Sequence, residues 1–340
     1  MTTASITGPI TKAERSGTTT GMDAMALTKL GIIGAGRVGT AVAVSAAAFG
    51  VARTIALYDV DAGRAEAESA DLRHGTPFLP PAAVLGGGDP SVLDGSDVLV
   101  FAAGAGQRRG QSRLDLAEVN GELCTNVLPA LLERSPDCIV IVVSNPVDVL
   151  TAVAQEVSSL PIGRVLGSGT LLDTSRLRVL LAERLEVAVR QVHVNIAGEH
   201  GDSGFALWSS ATVAGTPLPR WLAREGYDGD LPDRLLGEVR TAAARIIDGK
   251  GATSTAIGLA TARIVGAIAA DEHSVLPLSW RHDVPGAGSV CLSLPVVVGR
   301  MGVLRPAPVQ LDATERRALT VSGCTLRAAR QRIRPLPVPA

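Results

Sequence analysis

Aromatic residues make up only 3% of this 340-residue chain: four phenylalanines, three tryptophans and two tyrosines. A sizeable core must therefore come from Ala, Val, Leu and Ile, the composition of buried parallel strands between helices. Cysteine is scarce as well. The four thiols, at 124, 138, 291 and 324, show neither a CxxC spacing nor a metal-ligand pattern, which argues against a disulfide scaffold and a thiolate metal site. They read as small buried hydrophobes in a reducing cytoplasm. His74, His273 and His282 join no ligand cluster, so no metal is expected. Uninterrupted apolar runs stay below the ~18 residues of a membrane span. Charge of one sign is missing too. With 32 basic and 33 acidic residues mixed along the chain and a net charge of −1, the basic footprint of a nucleic-acid binder is absent.

What is present is organised. Residues 1–27 are rich in Thr, Ser and Gly and lack the apolar stretch of a secretory signal, so they read as a mobile extension or an oligomer contact arm. From Lys29 the chain turns to alternating strand and helix signals. The expected division is a dinucleotide-binding Rossmann domain over 28–167 and an α+β substrate domain with antiparallel strands over 168–334. Residues 335–340 form a proline-punctuated tail. The expected class is α/β, with a doubly wound parallel sheet in the first domain.

A short apolar strand at 30–33 runs into Gly34-Ala35-Gly36-Arg37-Val38-Gly39 and then into an Ala- and Val-rich helix. In this setting Gly34 makes the tight turn, Gly36 admits a pyrophosphate, and Gly39 lets the helix pack close to the strand. A second strand ends in Asp59, 25 residues after Gly34. A carboxylate there bonds ribose hydroxyls and repels a 2′-phosphate, which favours NAD over NADP. Arg53 and Arg64 are close enough in sequence to keep NADP in view.

Two further stretches point to chemistry. After the strand at 97–102, AAGAGQRRGQSRLDL places three arginines among repeated glycines, where an anion would be received. A continuous apolar run at 138–143 then stops at Ser144-Asn145-Pro146. Both lie at carboxyl ends of strands, where open α/β sheets bind ligands. In the second half, Asp173 and Arg176 are three apart and share a helix face, whereas Arg178 points elsewhere. His200 sits in GEHGDS, where a strand-like run breaks between glycines, and histidine is suited to passing a proton near neutral pH.

The motifs GAGRVG, LYDV, GQSRLDL, SNPVDVLT, VLGSGTLLDTSR and GEHGDS occur in the order and spacing of one family. From about residue 28 to 333 the chain resembles the L-lactate/malate dehydrogenases, and among them the bacterial NAD-dependent type activated by fructose 1,6-bisphosphate. The resemblance implies roles position by position. His200 would be the proton donor and acceptor, and Asp173 the carboxylate that favours its imidazolium. Arg176 would grip the substrate carboxylate, Arg113 would polarise the reacting carbonyl, and Asn145 would bond the substrate oxygen. Thr253 and Ile257 would line the substrate pocket and the nicotinamide face. Gly34, Gly36, Val38, Gly39 and Asp59 would hold NAD, with Asn145 and Ile257 beside it.

The resemblance also implies a substrate and a regulator. Malate dehydrogenases carry an arginine six residues before the lid arginine; here that position is Gln107, which favours pyruvate over a dicarboxylate. A register shift would bring Arg108 or Arg109 there instead. Ser254-Thr255 replaces bulkier residues and leaves branched 2-oxo acids open, as in L-2-hydroxyisocaproate dehydrogenases. Arg178 and His193 match positions that bind fructose 1,6-bisphosphate across a subunit interface, so an activated homotetramer is expected. A non-catalytic NAD-binding protein is the alternative from another class; no membrane or nucleic-acid partner is expected.

Overall fold

The computed structural model describes residues 26–105 and 113–333, without the side chains of 113–115. Most of the N-terminal extension, Gln107, Arg108, Arg109, the Arg113 side chain and the tail at 335–340 lie outside the described residues.

The first half builds six parallel strands: β1 (Leu27–Ile33), β2 (Ala52–Tyr58), β3 (Ala83–Gly87), β4 (Val98–Phe101), β5 (Ile139–Val142) and β6 (Val165–Gly167). Their spatial order is β3-β2-β1-β4-β5-β6, so the winding reverses between β1 and β4. That reversal opens the crevice in which doubly wound sheets bind dinucleotides. The helices α1 (Arg37–Phe49), α2 (Ala62–Gly75), α3 (Arg113–Leu132) and α4 (Val147–Val157) cover the two faces. The strands are apolar without interruption because both faces are covered. Val98 and Val100 of β4, with Ile139 and Ile141 of β5, enter one core; Leu99, Phe101, Val140 and Val142 enter the other. This is the two-residue period of a strand, read out on both sides.

The second half begins with α5 (Leu171–Arg184). Short strands follow, β7 (Val192–His193), β8 (Ile196–Ala197), β9 (Phe205–Ala206), β10 (Thr212–Val213) and β11 (Thr216–Pro217), then α6 (Leu218–Arg224), α7 (Leu231–Lys250) and α8 (Thr255–Ala269). An antiparallel meander, β12 (Ser274–Val284), β13 (Gly288–Gly299) and β14 (Gly302–Pro306), precedes the last helix, α9 (Ala313–Arg332). A capping box starts α9: Asp312 accepts from the Glu315 N–H, and Glu315 accepts from the Asp312 N–H in return.

The two halves share one sheet. β12 pairs antiparallel with β6 at Ser279 and Gly167, giving nine strands in the order β14-β13-β12-β6-β5-β4-β1-β2-β3. They also share a core, in which Ile264, Val265 and Ile268 of α8 join Leu30 and Ile32 of β1. Helix α8 lies directly on α1: a Cβ at Gly258 would stand 2.6 Å from the Ala41 carbonyl oxygen. The architecture is the expected Rossmann-type sheet followed by a mixed half with antiparallel strands. Helices α7 and α8 are separated at Gly251, which takes φ +82°. β3, β6 and β14 are not marked by the sequence patterns.

Candidate active site

The turn after β1 is shaped by its glycines. Gly34 has φ +102°, and a Cβ there would come within 2.8 Å of the Ala103 nitrogen. A Cβ at Gly39 would stand 1.8 Å from the Gly34 carbonyl oxygen, so α1 and the turn touch backbone to backbone. At Gly36 a Cβ would meet nothing within 4 Å. Gly36 is also the N-cap of α1, with no side-chain cap and no acid in the first turn. The first N–H groups of α1 thus keep their positive end for a ligand, and the space beside Gly36 admits it. Val38, in the first turn, packs partly buried on the core.

Asp59 stands where β2 ends. Its Oδ2 accepts from the Ala35 N–H at 2.8 Å and its Oδ1 from the Asp61 N–H at 3.0 Å. The carboxylate is thereby fixed beside the glycine turn, with lone pairs left for ribose hydroxyls. Arg64 pairs with Asp61 at 3.1 Å and reaches Asp59 only at 3.9 Å. Open space at Gly36, an uncapped helix start and an oriented carboxylate are what a dinucleotide requires, and the residues present fit NAD.

Below the switch point, α3 ties two strand ends together. Asn120, buried in α3, accepts from the Ala105 N–H at 2.8 Å. Its amide donates to the Ala105 carbonyl at 3.2 Å and to the Asn145 carbonyl at 2.7 Å. The base of the arginine-rich loop is thus held against the segment carrying Asn145. Asn145 turns its own Oδ1 toward the Val147 N–H at 3.3 Å. Sequence reading overlooked Asn120, although an amide within an otherwise apolar helix signals a buried polar role.

The histidine site is assembled from α5 and the loop at 198–204. Asp173 lies in the first turn of α5 and Arg176 one turn on. One Asp173 oxygen faces His200 Nδ1 at 2.6 Å and the other accepts from Arg176 at 2.8 Å. A cavity of about 70 Å³ is lined by all three, with Arg240 opposite, which sequence reading did not single out. Arg240 donates to the Gly204 carbonyl at 2.7 Å and so steadies the loop. The His200 loop is clamped from behind as well. Its N–H donates to Asp148 Oδ2 at 2.7 Å, and the Glu199 N–H donates to Ser322 of α9 at 2.7 Å.

Burial works against the charged imidazole, but the Asp173 carboxylate, with Asp148 adding to it, outweighs that cost and holds His200 above its ordinary pKa. Burial likewise opposes ionisation of Asp173, yet His200 and Arg176 keep it below the usual carboxylate range. Asp148 differs: full burial pushes its carboxyl up to about 6, against the pull of the His200 N–H and nearby Ser279. Its Oδ1 and the nearby Ser279 hydroxyl are both buried and have no other hydrogen-bond partner among the described residues. Sequence reading quoted Asp148 within SNPVD and gave it no role. An acid in the first turn of a helix ordinarily reads as a surface partner of the helix dipole.

The remaining expected residues lie around these centres. Thr253 is partly buried just before α8, and Ile257, in its first turn, packs on the core. Arg178 points away from the Asp173 pair. It donates to the Val194 carbonyl and to Asn195 Oδ1, both at 2.9 Å, beside the exposed His193. Burial lowers its pKa. Among the described residues no group of three or more His, Cys, Asp and Glu side chains could hold a metal ion, and no helix is long and apolar enough to cross a membrane.

Known proteins resemble the chain over most of its length. The profile of the lactate/malate dehydrogenase NAD binding domain matches residues 28–167, and that of the family's alpha/beta C-terminal domain matches 170–334. The L-lactate dehydrogenase of Synechococcus sp. (strain JA-3-3Ab) is 46% identical over 89% of this chain and 98% of its own. That of Bifidobacterium animalis subsp. lactis (strain AD011) is 43% identical over 88% of this chain and 95% of its own. A solved lactate dehydrogenase from a Medee basin deep-sea metagenome library superposes with a TM-score of 0.86 at 34% identity, covering 90% of this chain and 98% of that one. With its glycine turn and carboxylate–histidine pair falling inside these matches, the chain belongs to the lactate/malate dehydrogenase family of NAD-dependent oxidoreductases.

Proposed function

We propose that the chain is an L-lactate dehydrogenase, reversibly reducing pyruvate to (S)-lactate. The observation that carries the reading is Asp173 bridging His200 and Arg176 within one cavity. NADH, when bound along the glycine turn, supplies the hydride that pyruvate receives at C2. Because Nδ1 is tied to Asp173, Nε2 is the nitrogen left to deliver a proton to the substrate oxygen. Asp173 keeps that proton in place until it is needed, as a buried carboxylate orients and charges an imidazole. Arg176 offers a two-pronged contact to the substrate carboxylate with the guanidinium N–H groups that Asp173 does not occupy. Asn145 bonds the substrate oxygen from the other strand end, and Thr253 and Ile257 line the pocket. Arg113 polarises the carbonyl, a contribution of ~3 kcal/mol for such a preorganised donor.

Gln107 selects a monocarboxylate, because a second carboxylate in a closed site would find no cation. NADH oxidation with pyruvate against oxaloacetate tests this. A strong pyruvate preference that Gln107→Arg reverses is expected. Preference of the unaltered chain for oxaloacetate would put Arg108 or Arg109 in that place and refute the assignment.

The regulatory reading is an assembly of four chains, activated by fructose 1,6-bisphosphate on Arg178 and His193. Its support is that the Arg178 guanidinium reaches residues 194 and 195, beside His193, on the far side of α5 from Asp173. An Arg178→Leu/His193→Ala variant should keep basal turnover and lose the response to the sugar phosphate in activity and light-scattering mass; a full response would place the site elsewhere. The thiols suit a cytoplasmic setting: Cys124, Cys138 and Cys291 are buried and unpaired, and burial pushes each up to about 12, whereas Cys324, expected to be buried with them, is exposed on α9. The working division places the cofactor domain at 28–167 and the substrate domain at 168–334.

A further inference from the structure

A second cavity, of about 290 Å³, lies between α4, the β12–β13 hairpin and α9. It shares no lining residue with the cavity at His200. Three arginines reach it, Arg281 from β12 and Arg327 and Arg330 from α9, against the carboxyl groups of Asp148 and Glu156 from α4. Glu156 is already engaged, since Arg330 donates to both of its oxygens. Asp148 gives Oδ2 to the His200 N–H at 2.7 Å. Among the described residues Arg327 donates only to the Ala287 carbonyl at 3.3 Å, and Arg281 meets the Cys291 thiol. Among the described residues, neither Arg281 nor Arg327 forms an ion pair with a carboxylate. Two guanidiniums thus face one space without a direct ion pair of their own, and Ser289 adds a hydroxyl to the same wall.

We propose that this cavity binds a small oxyanion, a carboxylate or phosphate group, between Arg281 and Arg327, as a site separate from that of the substrate. Guanidinium forks suit two-oxygen anions, and the volume is near the lower end of small-molecule pockets, about 300 Å³.

The test uses the full chain carrying Arg176→Ala, Arg178→Leu and His193→Ala, so that the substrate cavity and the Arg178 region no longer hold anions. Inorganic phosphate and citrate are titrated calorimetrically into this background, separating phosphate from carboxylate recognition. One saturable site per chain is expected for at least one probe. Adding Arg281→Gln and Arg327→Gln should weaken it about 10-fold or more, the loss of two charge-assisted contacts. Arg327→Gln alone, on an exposed stretch of α9, should weaken it several-fold without disturbing the fold. No saturable binding of either probe, or affinity unchanged by the glutamines in a folded protein, overturns the proposal. In the otherwise unaltered chain, Arg281→Gln/Arg327→Gln should leave kcat/KM for pyruvate within about twofold, because neither arginine lines the His200 cavity. A large fall there would tie these arginines to the active site and remove the separateness claimed.

Discussion

Asp173→Asn would remove a charge from the centre of the site while keeping nearly the same shape. The carboxylate stands 2.6 Å from His200 Nδ1 and 2.8 Å from Arg176. At an effective dielectric of ~20, a unit pair at the histidine distance is worth ~6 kcal/mol gross. Desolvation of the imidazolium offsets part of this, because burial is the largest influence on His200 and acts against its charge. A net loss of ~2–4 kcal/mol remains, or about 30- to 1000-fold in kcat/KM for pyruvate near neutral pH. Reduction needs protonated His200, so activity falls as pH rises through its raised pKa. Without the carboxylate that alkaline limb should move to lower pH. The assay is initial-rate NADH oxidation against pH, with thermal melting to confirm folding. An unmoved limb, with a folded variant, would show that Asp173 does not set the charge of His200 and would refute the proton-transfer assignment.

Three further outcomes follow from the geometry. Gly39→Ala forces a Cβ against the Gly34 carbonyl at 1.8 Å, so the turn must shift; a loss of ~1–3 kcal/mol of stability and at least tenfold weaker NADH binding are expected in melting and titration. Asn120→Ala deletes the bonds from Asn120 to Ala105 and Asn145; turnover should fall about tenfold with NADH affinity little changed, whereas equal losses in both would place its role in the cofactor site. Asp148→Asn addresses stability against pH. The folded carboxyl is raised from 3.8 to about 6, so folding takes up a proton and the wild type loses stability as pH climbs between those values, by ~3 kcal/mol in all. Denaturant titrations should show the wild type falling relative to the variant across that window, with the difference level above it; a level difference throughout would mean that burial does not perturb this group.

The features readable from sequence are those whose physics is local. A glycine turn between strand and helix, and an acid at the next strand end, announce themselves because backbone conformation and spacing decide them. Asp173 and Arg176 are one helical turn apart, and His200 stands alone in a glycine-flanked break; only the family pattern brought it to Asp173, 27 residues away. Features set by distant packing stayed hidden. Asp148 begins a helix as many surface acids do, yet it is buried, with its Oδ2 taken by the His200 N–H from a loop 52 residues on. Strand β6 has three residues and β14 five, too few for a periodic pattern to stand out. β3 ends in Gly86 and Gly87, and a Cβ at Gly86 would strike the Ala65 carbonyl oxygen at 2.3 Å. What looks like a loop signal is there a close strand–helix contact. The Arg281–Arg327 cavity draws on four elements scattered over more than 180 residues, beyond the reach of spacing arguments.

The pairing of β6 with β12, and the core that α8 shares with β1, make the chain one thermodynamic unit rather than two modules on a tether. The NAD binding domain is the first half, yet a sheet and core shared by both halves spread the free energy of cofactor binding across the whole chain. At a cofactor concentration one hundred times its dissociation constant, mass action adds about 2.7 kcal/mol to the folded state. The His200 loop, Asp173 and the meander share that protection through the common sheet and core. Cofactor supply therefore sets not only how fast the chain can turn over but how long its catalytic half survives heat or proteolysis.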